Sequence, residues 1–197
     1  MKPYSESCDQ NRDAILKVIQ PLLEKARSIL EVGSGTGQHA VFMAAEMPHL
    51  QWHTSDRREH HPGISQWLAE AGLDNLHAPL ELDVLCDSWP DREFDAVFSA
   101  NTVHIMHWQD VEAFIAGVGQ VLQSEGLFLL YGPFNYNGQF TSESNARFDL
   151  WLKERDSQSG VRDFESLNRL AMDAGLELMQ DVAMPANNRI LCWRKCR

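Results

Sequence analysis

The stretch Ile29-Leu30-Glu31-Val32-Gly33-Ser34-Gly35-Thr36-Gly37-Gln38-His39-Ala40 decides the fold. An apolar run ends in an acidic residue, three glycines follow at every second position, and helix-forming residues come directly after them. The chain must therefore turn sharply from a buried strand into a helix. Glycine permits positive φ and lets a ligand lie against the backbone, and the first helical turn offers free N–H groups. The stretch predicts a ligand-binding turn at the carboxyl end of a first parallel strand.

The spacing of the glycines limits which ligand this turn binds. A dinucleotide-binding G-x-G-x-x-G fingerprint counted from Gly33 would need a small residue at position 38, which is Gln38. A Gly-Lys-Ser/Thr ending is missing, so a phosphate-binding P-loop is not predicted. The stretch has the pattern E-x-G-x-G-x-G instead. A glycine-rich turn that merely links a strand to a helix stays the alternative at this point.

Length and charge favour one domain with a small-molecule partner. The 197 residues suit a single domain over residues 1–197, in which residues 1–27 form an N-terminal extension and helix. Lys and Arg number 17 against 28 Asp and Glu, which gives a formal net charge of −11. Nucleic-acid-binding domains usually carry a basic face. We therefore expect a small-molecule substrate and no nucleic acid.

The cysteines and the N-terminus predict the compartment. Cys8, Cys86, Cys192 and Cys196 have neither a C-x-x-C pair nor the His/Cys spacing of a zinc site, so no metal is predicted. Free thiols are typical of a reducing cytoplasm. The N-terminus has no signal-peptide core, and no stretch reaches the length of a membrane span. These features predict a cytoplasmic protein without a membrane partner.

Hydrophobic periodicity predicts alternating strands and helices. Strands are predicted at 28–32, 50–56, 79–84, 94–100 and 127–131, with residues 1–10 and 135–144 irregular. Two further strands, 176–184 and 189–193, are joined by a tight turn. This order predicts an α/β fold with a seven-stranded, mostly parallel, doubly wound sheet and a C-terminal antiparallel hairpin.

Acidic residues follow two of the predicted strands. Asp56 ends the second strand, about 20 residues beyond the glycine turn, where an acid in doubly wound folds reaches a ribose hydroxyl. A carboxylate accepts two hydrogen bonds and so matches a 2′,3′-diol. Asp83 ends the third strand. A helix-capping or turn-forming aspartate stays the alternative for both.

The glycine motif with Asp56 and Asp83 resembles motif I and its partners in class I S-adenosylmethionine-dependent methyltransferases. Within that class the chain is similar to the methyltransferase-like 26 family. The stretches that carry this narrower similarity are Asn11-Arg12, Ser34-Gly35-Thr36-Gly37-Gln38-His39, Asn101-Thr102-Val103-His104, Tyr131-Gly132-Pro133-Phe134, Ser144-Asn145 with Phe148-Asp149, and Met184-Pro185-Ala186-Asn187-Asn188. An arginine common in the family before the early asparagine is Gln10 here. The resemblance implies a Rossmann-like methyltransferase fold and S-adenosyl-L-methionine as cofactor, and it implies no particular substrate.

The resemblance also implies where the cofactor binds. Methyltransferases often have an acid facing the adenine amino group at the position of Asp83, and Asn101 is expected near the methionine moiety. Together with the ribose role of Asp56, the predicted cofactor-binding residues are Glu31, Gly33, Ser34, Gly35, Gly37, Asp56, Arg57, Asp83, Val84 and Asn101.

Methyl transfer from a sulfonium requires proximity and a dry site, and it needs a base only when the acceptor starts protonated. His104, after the fourth strand, is the predicted base, with a structural core histidine as the alternative. Tyr131, Asn187 and Asn188 are predicted to enclose the acceptor, although the two asparagines also suit a plain turn. No Asp/Asn-Pro-Pro-aromatic motif follows the fourth strand, which disfavours methylation of DNA adenine.

Two other function classes stay open. A nicotinamide-dependent oxidoreductase shares the α/β architecture, but its glycine spacing and its Tyr-x-x-x-Lys pair are missing. A non-catalytic S-adenosylmethionine-binding protein would keep the cofactor residues and need no acceptor site. The sequence favours a methyltransferase that acts on an unidentified small molecule at oxygen or sulfur.

Overall fold

Helices and strands alternate along residues 2–197, the part of the chain that the computed structural model describes. The helices are α1 (Glu6–Leu22), α2 (Gln38–Glu46), α3 (His61–Ala71), α4 (Trp108–Val121), α5 (Glu143–Arg155) and α6 (Phe164–Asp173). The strands are β1 (Ser28–Val32), β2 (Gln51–Asp56), β3 (Leu76–Glu81), β4 (Phe94–Ala100), β5 (Leu122–Gly132), β6 (Phe134–Asn135), β7 (Arg162–Asp163), β8 (Leu176–Met184) and β9 (Asn188–Lys195). Short 3₁₀ helices occupy Arg58–His60 and Pro185–Asn187.

The main sheet has seven strands in the order β3-β2-β1-β4-β5-β9-β8. Strands β1 to β5 pair in parallel, and β9 runs antiparallel to both β5 and β8. Strand β8 therefore runs in the same direction as the first five. The strand order reverses between β1 and β4, which is the point where doubly wound sheets open a ligand crevice. The predicted seven-stranded, mostly parallel sheet with an antiparallel C-terminal hairpin is confirmed.

Strand β1 is buried on both faces because helices cover both sides of the sheet. Ile29 packs with the fully buried Ile15 of α1 and Met43 of α2. Leu30 belongs to the opposite core layer, together with Phe114 of α4. Two-sided burial explains why the apolar run of β1 shows no polar alternation. None of the helices in residues 2–197 is long and apolar enough to cross a lipid bilayer.

Several predicted boundaries were wrong, and β5 begins at Leu122 instead of residue 127. The first ten residues were expected to be irregular, but α1 begins at Glu6. The backbone N–H and carbonyl of Ser5 bond to the Gln38 side chain at 2.6 and 3.2 Å, which ties the start of α1 to α2. Strand β3 begins at Leu76 and not at Pro79. Strand β3 lies at the edge of the sheet. Pro79 has no backbone N–H group, and at an edge this loss does not deprive a neighbouring strand of a hydrogen bond.

Candidate cofactor-binding site

The glycine turn links β1 to α2 at the carboxyl edge of the sheet. Gly33, Gly35 and Gly37 have φ angles of +73°, +57° and +88°, a left-handed backbone that L side chains rarely adopt. The Gly33 N–H donates to the Ser55 carbonyl oxygen at 3.0 Å, which anchors the turn to β2. A Cβ atom at Gly33 would lie 2.6 Å from Thr102 Cγ2, whereas one at Gly35 would face open space. The backbone at Gly35 is therefore accessible to a ligand.

Asp56 ends β2 beside this turn. Its Oδ2 atom accepts a hydrogen bond from the Gly35 N–H at 2.7 Å, and its Oδ1 atom accepts one from the Arg57 N–H at 2.8 Å. His60 Nε2 lies 3.9 Å from Oδ1. Each carboxylate oxygen keeps a further lone pair. The carboxylate is thus fixed by the backbone and still able to accept hydrogen bonds from a diol.

A cavity of about 430 Å³ opens above this edge of the sheet. Its size falls in the range of roughly 300–1,000 Å³ that is typical of small-molecule sites. Most of the predicted cofactor-binding residues line it: Gly33, Ser34, Gly35, Asp56, Arg57, Asp83, Val84 and Asn101. The structure therefore brings together residues from the loops after β1, β2, β3 and β4.

Asp83 and Asn101 reach the cavity from two of these loops. Asp83 lies in a turn beyond β3, where its Oδ1 atom accepts from the Leu85 N–H at 3.1 Å and its own N–H donates to Asp87 Oδ2 at 2.6 Å. It is a turn-forming aspartate that also lines the cavity. Asn101 has a φ angle of +59°, and its N–H donates to the Tyr131 carbonyl oxygen at 3.0 Å. Asparagine tolerates this left-handed conformation better than most residues.

Glu31 and Gly37 are not among the residues that line the cavity. The Glu31 side chain is buried beneath the turn, where its carboxyl group accepts a hydrogen bond from Trp52 Nε1 at 3.2 Å. The Glu31 carbonyl oxygen accepts one from Ser55 Oγ at 2.7 Å. A Cβ atom at Gly37 would lie 3.2 Å from Ile64 Cα, so glycine allows α2 to approach α3. In the structure both residues support the turn from below.

Burial of Glu31 makes the stability of the turn depend on pH. Burial raises the pKa of this carboxyl group from 4.5 to about 7. The folded chain therefore holds the Glu31 proton over a range in which the unfolded chain has lost it, and this stabilisation disappears as the pH rises from 4.5 to 7. A separation of about 2.5 pH units corresponds to roughly 3 kcal/mol.

We expect Glu31→Gln to abolish this dependence. Urea denaturation of both proteins at several pH values measures it. The stability of the wild type relative to the variant should fall by roughly 3 kcal/mol between pH 4.5 and pH 7. If the free energies of unfolding of the two proteins change in parallel over that interval, Glu31 is already ionised in the folded protein at the lower pH.

His104 lies in the loop after β4, but it is not part of the cavity lining. Its side chain is 5% exposed, its ring contacts Phe148 edge-to-face at 5.2 Å, and its Nδ1 atom has no hydrogen-bond partner within residues 2–197. Burial, with a smaller contribution from the charge of Arg162, lowers the His104 pKa to about 4. This environment suits the structural alternative, and the role of His104 as a base stays a prediction.

The turn between β8 and β9 lies at the same edge as the cavity because β8 is parallel to the first five strands. Asn187, with a φ angle of +58°, contacts the start of α5. Its carbonyl oxygen accepts from Asn145 Nδ2 at 3.0 Å, and its own Nδ2 donates to Ser144 Oγ at 3.1 Å. The structure thus joins two of the stretches that carry the family resemblance.

Tyr131, near the end of β5, is buried, at 3% exposure. Burial raises the pKa of its hydroxyl group, and the amide side chains of Asn11 and Asn188 partly counteract this. Asn188 Nδ2 also donates to the Pro185 carbonyl oxygen at 3.2 Å, which is a turn-forming contact. Tyr131, Asn187 and Asn188 are not among the cavity-lining residues, and their contact with an acceptor stays a prediction.

Helix α1 also contributes to the cavity, which was not predicted from the sequence. Ser5, Ser7 and Cys8 line it from the start of this helix, and His39 lines it from the first turn of α2. The available signal was the family resemblance, because Asn11 and His39 both belong to stretches that carry it. The hydrophobic periodicity of α1 predicts which face of the helix is buried. It does not predict where the first turn of the helix lies relative to the cavity.

The lining side chains favour a nucleoside bearing a positive charge. Three aspartates, Asp56, Asp83 and Asp110, line the cavity together with Arg57 and the polar residues Ser34 and Asn101. Carboxylates accept hydrogen bonds from a diol and an exocyclic amine, and they attract a cation. These residues fit S-adenosylmethionine. No group of three or more His, Cys, Asp or Glu side chains within residues 2–197 is arranged to hold a metal ion.

Three solved structures that resemble this chain are methyltransferases. Human N-acetylserotonin methyltransferase, in complex with S-adenosylmethionine, has a TM-score of 0.82 and 16% identity over 98% of this chain and 53% of that protein. An O-methyltransferase family 2 protein from Planctomyces limnophilus, in complex with apigenin, has a TM-score of 0.82 and 16% identity over 96% of this chain and 60% of that protein. An O-methyltransferase family protein from Burkholderia thailandensis has a TM-score of 0.78 and 16% identity over 95% and 59%. This chain spans just over half the length of these proteins, with which it shares the fold.

A family model described as "Protein of unknown function (DUF938)" matches residues 2–195. The match covers nearly the whole sequence, including the start of α1 and the C-terminal hairpin. The chain, which has the fold of the class I methyltransferases, therefore belongs to the family of proteins of unknown function named DUF938.

Proposed function

We propose that this chain is an S-adenosylmethionine-dependent methyltransferase that acts on a small molecule. The observation that carries the proposal is the cavity at the carboxyl edge, because it collects the glycine turn, Asp56, Asp83 and Asn101 in one place. The fold shared with proteins solved in complex with S-adenosylmethionine and with apigenin supports it. A nicotinamide-dependent oxidoreductase has no comparable support.

When bound, S-adenosylmethionine supplies an electrophilic methyl group on a positively charged sulfur. In this proposal the Asp56 carboxylate holds the ribose diol and Asp83 the adenine amino group. The backbone around Gly35 lies against the nucleoside, and Asn101 lies near the methionine moiety. Ser34, Gly33, Arg57 and Val84 complete the contacts, whereas Glu31 and Gly37 keep the turn in shape.

The acceptor is proposed to be a small molecule that is methylated at oxygen or sulfur, with no nucleic acid or membrane involved. The net charge of −11 supports this because it disfavours binding to phosphate backbones. Four free thiols support a cytoplasmic protein. We further propose that residues 1–197 act as one methyltransferase domain, related to the methyltransferase-like 26 family.

Calorimetric titration with S-adenosylmethionine, S-adenosylhomocysteine and NAD tests the cofactor. We expect the first two to bind and NAD not to bind; preference for NAD would refute the proposal. A screen of metabolites with methyl-labelled cofactor then separates an enzyme from the alternative, a non-catalytic S-adenosylmethionine-binding protein. Binding without any labelled product would favour that alternative.

Asp56→Ala should weaken S-adenosylmethionine binding roughly tenfold to a hundredfold, because a hydrogen bond to a charged group contributes about 1.5–3 kcal/mol. Asp56→Asn keeps an acceptor for the Gly35 N–H and removes the charge, so it separates collapse of the turn from loss of the ribose contact. Asp74→Ala, at an exposed aspartate after α3, is the control. Unchanged affinity in folded Asp56→Ala would refute the ribose role.

A further inference from the structure

His39 is a buried histidine on the wall of the cavity, held through both of its ring nitrogens. It is 7% exposed and lies in the first turn of α2. Its Nε2 atom lies 2.7 Å from Asn11 Oδ1, and its Nδ1 atom lies 3.8 Å from Cys8 Sγ. Its ring also contacts Phe98 edge-to-face at 6.2 Å. These contacts fix the orientation of the imidazole.

The Asn11 contact determines which nitrogen of His39 carries the proton. With the amide oxygen of Asn11 facing the ring, as in this structure, Nε2 donates to Asn11 Oδ1, because an amide oxygen only accepts hydrogen bonds. In this orientation the Asn11 side-chain NH₂ group can donate a hydrogen bond to the neighbouring Tyr131 hydroxyl oxygen. The lone pair of the neutral imidazole consequently resides on Nδ1. This atom faces Cys8, which also lines the cavity.

The groups around His39 keep its ring neutral. Burial is the largest influence and lowers the pKa to about 4, with Asp9 opposing and Arg12 reinforcing this. Arg12 itself pairs with Asp9 at 2.8 Å, so the two nearby charges largely cancel. Burial also raises the pKa of the Cys8 thiol. At neutral pH the pair is therefore a thiol beside an imidazole with a free lone pair.

We propose that His39 is the base that takes the proton of the methyl acceptor, and that Asn11 is the positioning residue that fixes its tautomer. The proposal rests on the methyltransferase activity proposed above. It names the acceptor class: a neutral molecule with an O–H or S–H group that enters the cavity beside Cys8. The contact from Cys8 Sγ to Nδ1 is long, and an acceptor hydroxyl at about 2.7–3.0 Å would replace it with a stronger hydrogen bond.

In the proposed reaction, His39 Nδ1 receives the proton that the acceptor loses. The acceptor oxygen or sulfur forms a bond to the methyl carbon, and the bond between that carbon and the cofactor sulfur breaks, with its electron pair staying on that sulfur. The acceptor proton moves to His39 Nδ1. The resulting imidazolium releases the proton to solvent through the cavity, while Nε2 keeps its hydrogen bond to Asn11.

His104 is as deeply buried as His39 and its pKa is lowered as far, but the two histidines differ in their position and in their ring contacts. It is not among the cavity-lining residues, and its Nδ1 atom has no hydrogen-bond partner within the described part of the chain. His39 has a residue that selects its tautomer and a lone pair directed toward a cavity-lining thiol. The geometry therefore favours His39 as the base.

The tautomer of His39 is measurable without any acceptor. In ¹⁵N-histidine-labelled protein we expect the NMR shifts of His39 to show a protonated Nε2 and an unprotonated Nδ1 at pH 7. Asn11→Leu should reduce this preference, and Asn11→Asp should restore it because a carboxylate accepts the same hydrogen bond. A protonated Nδ1 in the wild-type protein would overturn the proposal.

Alkylation by iodoacetamide tests the basicity of Nδ1. Cys8 Sγ forms a bond to the reagent carbon, iodide leaves, and the thiol proton moves to His39. His39→Gln should slow the alkylation of Cys8 at pH 7 by about tenfold, which is less than the roughly 10²–10⁴-fold effect of a base whose pKa lies near the working pH, because burial lowers the His39 pKa. Asn11→Leu should slow it by less, and Asn11→Asp should recover the rate.

Cys86 provides an internal control because it lines the same cavity. Its alkylation should be the same in the wild type and in His39→Gln. An unchanged Cys8 rate in His39→Gln would overturn the role of His39 as a base. Calorimetry with S-adenosylmethionine on the same proteins keeps the two proposals apart. Absence of cofactor binding would refute the methyltransferase, whereas binding with a protonated Nδ1 would refute only the assignment of His39.

Discussion

Gly33→Ala should lower the free energy of unfolding by roughly 2–5 kcal/mol, because it combines two independent costs. Gly33 has a φ angle of +73°, and an L residue in the left-handed region costs about 1–2 kcal/mol. A Cβ atom there would also lie 2.6 Å from Thr102 Cγ2. Overpacking of this kind costs about 1–3 kcal/mol. Urea denaturation gives the total.

A second substitution separates the two costs. Thr102→Ser removes Cγ2 and keeps the hydroxyl group, which lies 2.7 Å from Ser99 Oγ. Gly33→Ala combined with Thr102→Ser should therefore recover about 1–3 kcal/mol and retain the cost of the backbone. Gly35→Ala is the matched control, since its φ angle is +57° and its Cβ would face open space. Equal destabilisation by Gly33→Ala with and without Thr102→Ser would show that the predicted contact costs nothing.

The fold was predictable from sequence because its signals are local. The apolar run of β1, the alternating glycines and the start of α2 follow one another within one short stretch, so their geometry depends little on the rest of the chain. Parallel strands then place whatever follows them at one edge. This is why Asp56, Asp83 and Asn101, read as strand-ending residues, line the same cavity as the turn.

The direction of side chains in loops was not predictable in the same way. His104 follows β4, as expected for a residue near the site, but its ring packs against Phe148 of α5, which comes much later in the chain. His39 stands in the stretch that decides the fold, and its importance depends on Asn11 and Cys8 of α1. Both outcomes are set by contacts between distant segments, for which the sequence carries no local signal.

The site combines two buried groups with opposite responses to acid. Glu31 lies beneath the glycine turn and is stabilised as a neutral acid, so it favours folding at lower pH. His39 lies on the wall and is stabilised as a neutral base, so it favours folding at higher pH. Between about pH 4 and pH 7 both groups are mainly neutral, which keeps net charge out of the protein interior next to the cavity. In this arrangement the carboxylates of Asp56, Asp83 and Asp110 are the negative groups along the cavity lining.

We expect the protein to lose stability steeply as the pH falls from 6.5 to 4. Burial lowers the pKa values of His39, His53 and His104 from 6.5 to about 4. Over that interval the unfolded chain binds protons at these histidines and the folded chain does not, so stability is lost as the pH falls. About 2.5 pH units correspond to roughly 3 kcal/mol for each histidine. The three losses sum to about 9 kcal/mol, and the protonation of Glu31 offsets roughly 3 kcal/mol of them, so the net loss of about 6 kcal/mol is comparable to the roughly 5–15 kcal/mol that holds a whole domain folded.

His104→Gln isolates one of these contributions. Its Nδ1 atom has no hydrogen-bond partner among residues 2–197, and at 5% exposure His104 is the most buried of the three, so protonation there meets no compensating contact in that part of the chain. Urea denaturation at pH values between 6.5 and 4 should show a loss of stability that is smaller by roughly 3 kcal/mol in the variant than in the wild type. Glu31→Gln should change the slope in the opposite sense, because the carboxyl group of Glu31 binds its proton in the folded state. If His104→Gln and the wild type lose stability in parallel, His104 is protonated in the folded protein, and its ring must then have a partner that accepts the charge.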